Sequence, residues 1–279
     1  MTAILISISL DSSSIFGAIA SLLIGLSLGL IGGGGSILTV PVLVYLFSVD
    51  PSQATAYSLF IVGATSAIGA FPKYKEGQVN LKTALTFGAP SIITVFATRK
   101  WIVPAIPTQI GQWGEFVLTK NVLLMLLFAL LMVAASFSMI STQKSLGTAE
   151  SKPQSFNYPL ILVEGAVVGL LTGLVGAGGG FLIIPALVLL MGLPMKQAVG
   201  TSLLIIAAKS LIGFMGDLSE QQIEWSLLGF VTAMAVIGII IGNQLSKKID
   251  GNKLKKGFGW FVLVVGIYIL VKEGWGAGH

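Results

Sequence analysis

Long apolar runs alternate with short polar breaks along this chain. The runs lie at about 15–47, 54–70, 82–98, 121–140, 158–191, 197–216, 225–245 and 255–271. Runs of about 17–25 apolar residues match the hydrocarbon thickness of a bilayer when coiled as helices. They do not alternate as outer-membrane strands would. The breaks hold nearly all the charge, such as Lys73, Lys75, Glu76 and Lys82 in one and Lys247, Lys248, Asp250, Lys253, Lys255 and Lys256 in another. The pattern predicts an all-α polytopic membrane protein. Residues 141–157, with Gln143, Lys144, Glu150, Lys152 and Pro153, read as a solvated connector. The first ten residues lack a basic flank and a cleavage site, so no cleaved signal peptide is expected.

Two runs are too long for one helix. Residues 15–47 would extend about 50 Å at 1.5 Å per residue, against about 30 Å of hydrocarbon. Each is interrupted by glycines and then a proline: Gly32, Gly33, Gly34, Gly35, Ser36 before Pro41, and Gly176, Gly178, Gly179, Gly180 before Pro185. Consecutive glycines are poor helix formers, so a broken helix or hairpin is expected at each. The two stretches align without gaps at an offset of 144, with 21 identities in 48 positions from Gly25–Pro72 against Gly169–Gly216. The second half is therefore a copy of the first. Residues 1–140 form the first repeat, 141–157 the connector and 158–279 the second repeat, each with a glycine-broken hairpin plus about three spanning helices.

Lysine and arginine positions bear on how the copies are oriented. Parallel copies would divide them six and nine across the membrane. Inverted copies gather eleven on one side (71–82, 141–157, Lys196 and 246–256) and leave Arg99, Lys100, Lys120 and Lys272 on the other. The positive-inside rule favours inverted repeats with both termini outside the cytoplasm. The piece after the first break, 36–47, is about 18 Å long as a helix, and a short crossing and a re-entrant limb both remain open for it and for 181–191.

Composition narrows the chemistry. Apolar residues are 54% and charged residues 10%, against about one quarter charged in soluble domains, so a soluble or disordered chain is excluded. There is no cysteine, and the one histidine is the terminal His279. Thiolate or imidazole metal sites, cysteine nucleophiles and histidine-based catalysis have no material, so no enzyme, no metal and no cofactor are expected. The charge lies in membrane breaks, and no nucleic-acid partner is expected. Trp101, Trp113, Trp225, Trp260 and Trp275 stand near run ends, where an aromatic belt forms.

Inverted repeats with interrupted helices are a recurring plan of secondary transporters, with substrate near mid-membrane. Unpaired backbone is tolerated there only when buried or lining a wet cavity. A helix start carries free N–H donors and partial positive charge, which suit an anion. The breaks at Gly32, Gly33, Gly34, Gly35, Ser36 and at Gly176, Gly178, Gly179, Gly180 are thus candidate substrate contacts. Close helix packing is the other reading of chain glycines, above all for Gly25/Gly29 and Gly165/Gly169/Gly173. Gln53, Ser58, Gln197, Thr201 and Ser202, with Ser66 and Ser210, recur after the breaks and could bind ligand oxygens or bridge helices. Lys209, whose repeat mate is Thr65, is the only basic residue read deep within an apolar run, a counter-charge or a structural cation. Glu164 reads as an interfacial carboxylate, Asp50 and Asp217 as solvated, and Asn243 as structural.

The motif Gly-Leu-hydrophobic-Gly-x-Gly-Gly followed by Pro41 or Pro185, with Gln53-Ala54…Ser58 and Gln197-Ala198…Ser202, resembles the TauE/SafE sulfite-exporter-like permeases, including the toluene-sulfonate uptake type. The resemblance spans nearly the whole chain. It implies a multi-pass protein of the cytoplasmic membrane that moves sulfite or an organosulfonate by alternating access, its substrate held between the two breaks. An anion channel for small oxyanions is the alternative. The expected partners are a small anion and the lipid bilayer. A homo-oligomer, and a proton or sodium as coupling ion, stay open. Tyr57 stands where the second half has Thr201, and Ser36 where it has Gly180, differences that could make the site asymmetric.

Overall fold

The computed structural model of the chain describes residues 12–113, 116–141, 158–189, 191–218, 222–246 and 251–276. It is almost entirely helical. The first half runs α1 (Ser12–Ile31), a 3-10 turn (Gly33–Leu38), α2 (Thr39–Tyr45), α3 (Pro51–Lys75), α4 (Leu81–Ala97), a π-turn (Thr98–Ile102), α5 (Val103–Ala105), the strands β1 (Gln109–Trp113) and β2 (Phe116–Thr119), and α6 (Lys120–Ser141). The second runs α7 (Tyr158–Val175), α8 (Gly180–Leu189), α9 (Met195–Asp217), α10 (Trp225–Leu245) and α11 (Gly251–Gly276). Among the described residues six helices are long and apolar enough to cross a membrane. Phe16, Leu85, Ile93 and Val264 are among many large apolar side chains turned outward, as a lipid-facing surface requires. All of the connector except Ser141, and the first ten residues, lie outside the described residues.

Local sequence accounts for the helix boundaries. Pro51 opens α3, and the Asp50 side chain accepts the Ser52 N–H at 2.9 Å. Asn80 caps α4 by accepting the Thr83 N–H at 3.0 Å. Gly32 breaks α1 at φ 75°, and its repeat mate Gly176 breaks α7 at the same φ. A side chain at either would be strained. The limb after the first break turns back: a Cβ on Gly17, near the start of α1, would lie 2.6 Å from the Phe47 ring, just past α2. The α1–α2 hairpin therefore leaves at the end where it entered. In the second half, Ile161 near the start of α7 shares an apolar cluster with Leu187 and Met191 at the far end of α8.

The helices pair in a pattern that the offset of 144 carries onto itself. α1 lies on α10, and the corresponding α7 lies on α4; α3 lies on α9, and α6 on α11. Glycines seat the first two pairs. A Cβ on Gly25 would overlap the Ala235 carbonyl, and one on Gly29 would lie 2.6 Å from the Ile239 oxygen. Across α7 and α4, a Cβ on Gly165 or Gly169 would lie 2.8 or 2.5 Å from the carbonyl oxygen of Phe87 or Ser91. These are the small-residue seams expected for packing glycines. Both pairs run parallel.

The equivalent helices α3 and α9 run antiparallel. Gly63 meets Leu211, Gly69 meets Leu203, and Leu59 meets Gly213. α10 runs alongside α3 in the same direction, with Trp225 on the Phe60 ring and Asn243 donating to the Gly69 carbonyl. α6 starts beside the start of α3, where Asn121 donates to Asp50 at 2.7 Å. Lys73, Lys75, Lys196 and the last turns of α6 and α10 consequently share one end of the molecule. Asp50, Asp217, Glu224 and Lys120 share the other. The β1–β2 hairpin, paired antiparallel, departs from the all-helical pattern expected from the sequence, and the positions related to β1 by the offset, 253–257, lie within α11.

Candidate functional site

The two broken hairpins enter from opposite ends and touch at their tips. A Cβ on Gly33 would overlap the backbone of Gly180, and one on Gly180 would overlap Gly33. Only glycine permits this approach. The tips lie against the middles of α3 and α9: a Cβ on Gly178 would fall 2.5 Å from Val62 and 3.4 Å from Ile206. The breaks themselves reach past the middle onto the other half, Gly32 meeting Val199 near the start of α9 and Gly176 meeting Thr55 near the start of α3. Val199 and Thr55 are repeat mates, so the crossing is the same twice.

Backbone geometry at the tips leaves amide groups in unusual settings. Gly178 and Gly179 have φ of 63° and 66°, and the Gly179 N–H donates to the Ala177 carbonyl at 2.7 Å. The Leu182 and Ile183 N–H groups both donate to the Gly179 carbonyl. The amides of Gly180 and Phe181 therefore open α8, where a helix has no acceptor of its own to offer. On the first tip, Gly34 lies within the 3-10 turn, Gly35 N–H donates weakly to Gly32 at 3.4 Å, and Ser36 is buried with its hydroxyl donating to the Gly33 carbonyl at 2.8 Å.

Lys209 reaches this centre. It is 0% exposed, its Nζ donates to the Thr172 hydroxyl at 3.1 Å, and a Cβ on Gly179 would lie 2.7 Å from that Nζ. No carboxylate pairs with it among the described ion pairs. A buried ammonium beside an opened helix start is a concentrated positive field. On α3 and α9, the hydroxyls of Ser58, Thr65, Ser66 and Ser210 are buried without a hydrogen-bond partner among the described residues. On α3, residues 58, 62 and 66 share one helical face, with Thr65 beside it; on α9, residues 202, 206 and 210 do the same, with Lys209 beside it.

Other expected residues stand elsewhere. Thr201 Oγ1 accepts the Asn80 N–H at 2.9 Å, and its mate Tyr57 accepts the Glu224 N–H at 2.7 Å. Asn80 and Glu224 are themselves repeat mates, so two different side chains hold the same link in each half. Ser202 donates to the Val199 carbonyl one turn back. Gln53 and Gln197 are the third residues of α3 and α9, partly exposed at opposite ends and more than two turns from Val62 and Ile206.

Two charges reverse the sequence-based expectation. Asp217 is buried, not solvated, and Arg99 is 0% exposed, not a loop cation. They face each other at 3.6 Å (Nη1 to Oδ2), and the same Nη1 donates to Thr55 Oγ1 at 3.0 Å. The cause is that helix α4 continues through the π-turn Thr98–Ile102, which turns Arg99 inward beneath α9. Asn243, the mate of Arg99, donates to Gly69 as the structural role requires. Near it, at the lysine end, a groove of about 310 Å³ is bordered by Ile68, Lys73, Glu76 and Asn243.

The profile of the sulfite exporter TauE/SafE family matches residues 17–269. A probable membrane transporter protein of Xylella fastidiosa is 29% identical over 255 residues, covering 89% of this chain and 91% of its own. One of Bacillus subtilis is 26% identical over 251 residues, with 89% and 96% covered. One of Haemophilus influenzae is 27% identical over 275 residues, with 90% and 95% covered.

Proposed function

From the premise that this chain belongs to the sulfite exporter TauE/SafE family, over residues 17–269, we propose that it is a secondary transporter for a small sulfur oxyanion, sulfite or an organosulfonate. That it is a multi-pass membrane transporter follows from the family and from the relatives' names. The anion is held where the hairpin tips meet. Lys209 supplies the charge, the amides of Gly33–Gly35 and Gly178–Gly180 approach the oxygens, and the unpaired hydroxyls of Ser58, Thr65, Ser66 and Ser210 complete the ring. Gln53, Gln197 and Thr201 stand outside this first ring, Ser202 at its edge. The carrying observation is the coincidence of a fully buried, carboxylate-free ammonium with two glycine tips in contact.

The proposal takes residues 1–140 and 158–279 as inverted copies, which the antiparallel course of α3 and α9 supports. Alternating access then means exchanging the environments of the two hairpins. With Arg99 buried, the polar-end cations fall from four to three against eleven, and the lysine end is assigned to the cytoplasm. The chain has no cysteine, so single replacements are clean. Lys75→Cys and Lys196→Cys should both react with an impermeant maleimide from the cytoplasmic face, and Thr108→Cys from the opposite face. Lys75→Cys and Lys196→Cys reacting from different faces would contradict the inversion.

Transport itself is tested in proteoliposomes. Internal sulfite should accelerate entry of labelled sulfite, and the rate should saturate. Linear, voltage-driven flux without that exchange would identify the channel instead.

A further inference from the structure

Arg99 is the only arginine in the 279 residues; the other fifteen basic residues are lysines. It is also among the largest side chains with no exposure at all. An ordinary structural ion pair satisfies a guanidinium through its fork. Here one nitrogen, Nη1, serves both Thr55 and Asp217, while Nε and Nη2 have no hydrogen-bond partner in the protein. Those two nitrogens form the side edge that grips two oxygens of one carboxylate, phosphate or sulfonate group. A buried guanidinium left so is costly.

Its place adds a second argument. Arg99 sits against Gly216 on α9, seven residues and two turns beyond Lys209 on the same face. Thr98, its neighbour, packs on Gly173 of α7, one residue from the Thr172 that holds Lys209. Thr55, its partner, is the residue on which the Gly176 break rests. The guanidinium is thus fixed to both parts of the second tip, between that tip and the Asp50 end. The repeat-related position carries Asn243, and Lys73 stands where Asp217 stands.

We propose that Arg99 is a second oxyanion station on the translocation path, its Nε–Nη2 edge taking two oxygens of a sulfite or sulfonate group between the central site and the Asp50 end. Asp217 and Thr55 hold Nη1 and aim the fork. The station is loaded in the conformer open at that end and releases its guest as the corner closes to the form described here. The class of ligand follows from the edge: anions with two or more coplanar-reaching oxygens, in preference to halides. This rests on reading the protein as an anion transporter.

Because the chain has one arginine, phenylglyoxal incorporation read by intact mass reports Arg99 alone. In nanodiscs, wild type should be modified slowly, and sulfite or methanesulfonate should slow modification saturably by about tenfold, whereas chloride at equal ionic strength should not. Lys209→Met should keep that protection. Arg99→Lys, which keeps the charge without the fork, should raise the sulfite concentration for half-maximal exchange in proteoliposomes about tenfold or more; Thr55→Val should raise it several-fold if Arg99→Lys does not fold. No modification at all, protection by chloride equal to that by sulfite, protection lost in Lys209→Met, or unchanged half-saturation in the folded variants would overturn the station. Protection that persists while sulfite exchange is absent in proteoliposomes would keep the station and remove the transport reading.

Discussion

Replacing Lys209 by methionine is expected to abolish sulfite exchange, by about 100-fold or more, while the protein still folds. Methionine is unbranched and close to lysine in length, so it fills the same channel between α7 and α9. Burying an ammonium mid-membrane costs about 2.5–3.5 kcal/mol on insertion scales, and that cost disappears with the charge. Folding should therefore be unharmed, with a thermal midpoint equal to or above wild type. What disappears is the cation beside Gly179. A hydrogen bond to a charged group is worth about 1.5–3 kcal/mol net, and more where water is excluded, which sets the expected hundredfold. The measurement is initial exchange rate against sulfite concentration in proteoliposomes, with thermal midpoint in parallel. Wild-type exchange by Lys209→Met would remove Lys209 from the site.

Gly33→Ala is expected to be nearly as damaging for a different reason. Its new methyl group would overlap Gly180 of the opposite hairpin, so the tips must part. Overpacking of a close interface costs about 1–3 kcal/mol, and the thermal midpoint should fall. Exchange should fall by tenfold or more even at temperatures where the protein stays folded, because amides from both tips no longer face one ligand. Gly229→Ala is the matched control, since nothing stands within 4 Å of its Cβ position and it lies within α10. That control should gain slightly in stability and keep wild-type exchange. Equal behaviour of the two variants would show that tip contact is dispensable.

Much of this was readable beforehand because it rests on local chain chemistry. Glycine runs break helices wherever they occur, so both hairpin tips were visible from Gly32–Gly35 and Gly176–Gly180. Repetition at a fixed offset implied equivalent packing in the two halves, but which helices pair, α1 with α10 and α7 with α4, comes from the structure alone. Lys209 stood out because charge within a long apolar run has a cost that something must offset.

What escaped notice depends on contacts distant in sequence. Arg99 and Asp217 each lie at the edge of an apolar run, where a charge ordinarily meets water. Only the π-turn and the packing of α4 on α9 turn them toward each other, and no periodicity carries that information. The solitary arginine is the compositional signal that marks this corner. Thr201 looked like a ligand contact because it follows the motif. Its bond to Asn80, matched by Tyr57 and Glu224, shows that the motif also encodes the link into the next helix. The β1–β2 hairpin falls in a stretch rich in Trp, Pro and Gln whose pattern is too short to separate strand from interfacial coil.

The unequal furnishing of the two corners has a consequence for energetics. Were the halves identical, a shape and its mirror exchange would be equally populated, and the protein would have no preferred rest. Here one corner closes on a guanidinium and a carboxylate, and the other would have to close on Asn243 and Lys73, which cannot replace that attraction. Each 1.4 kcal/mol of difference tilts the occupancy of the two shapes tenfold. For a carrier working as proposed, this slant comes from side chains alone, and the empty form is expected to rest facing the lysine end.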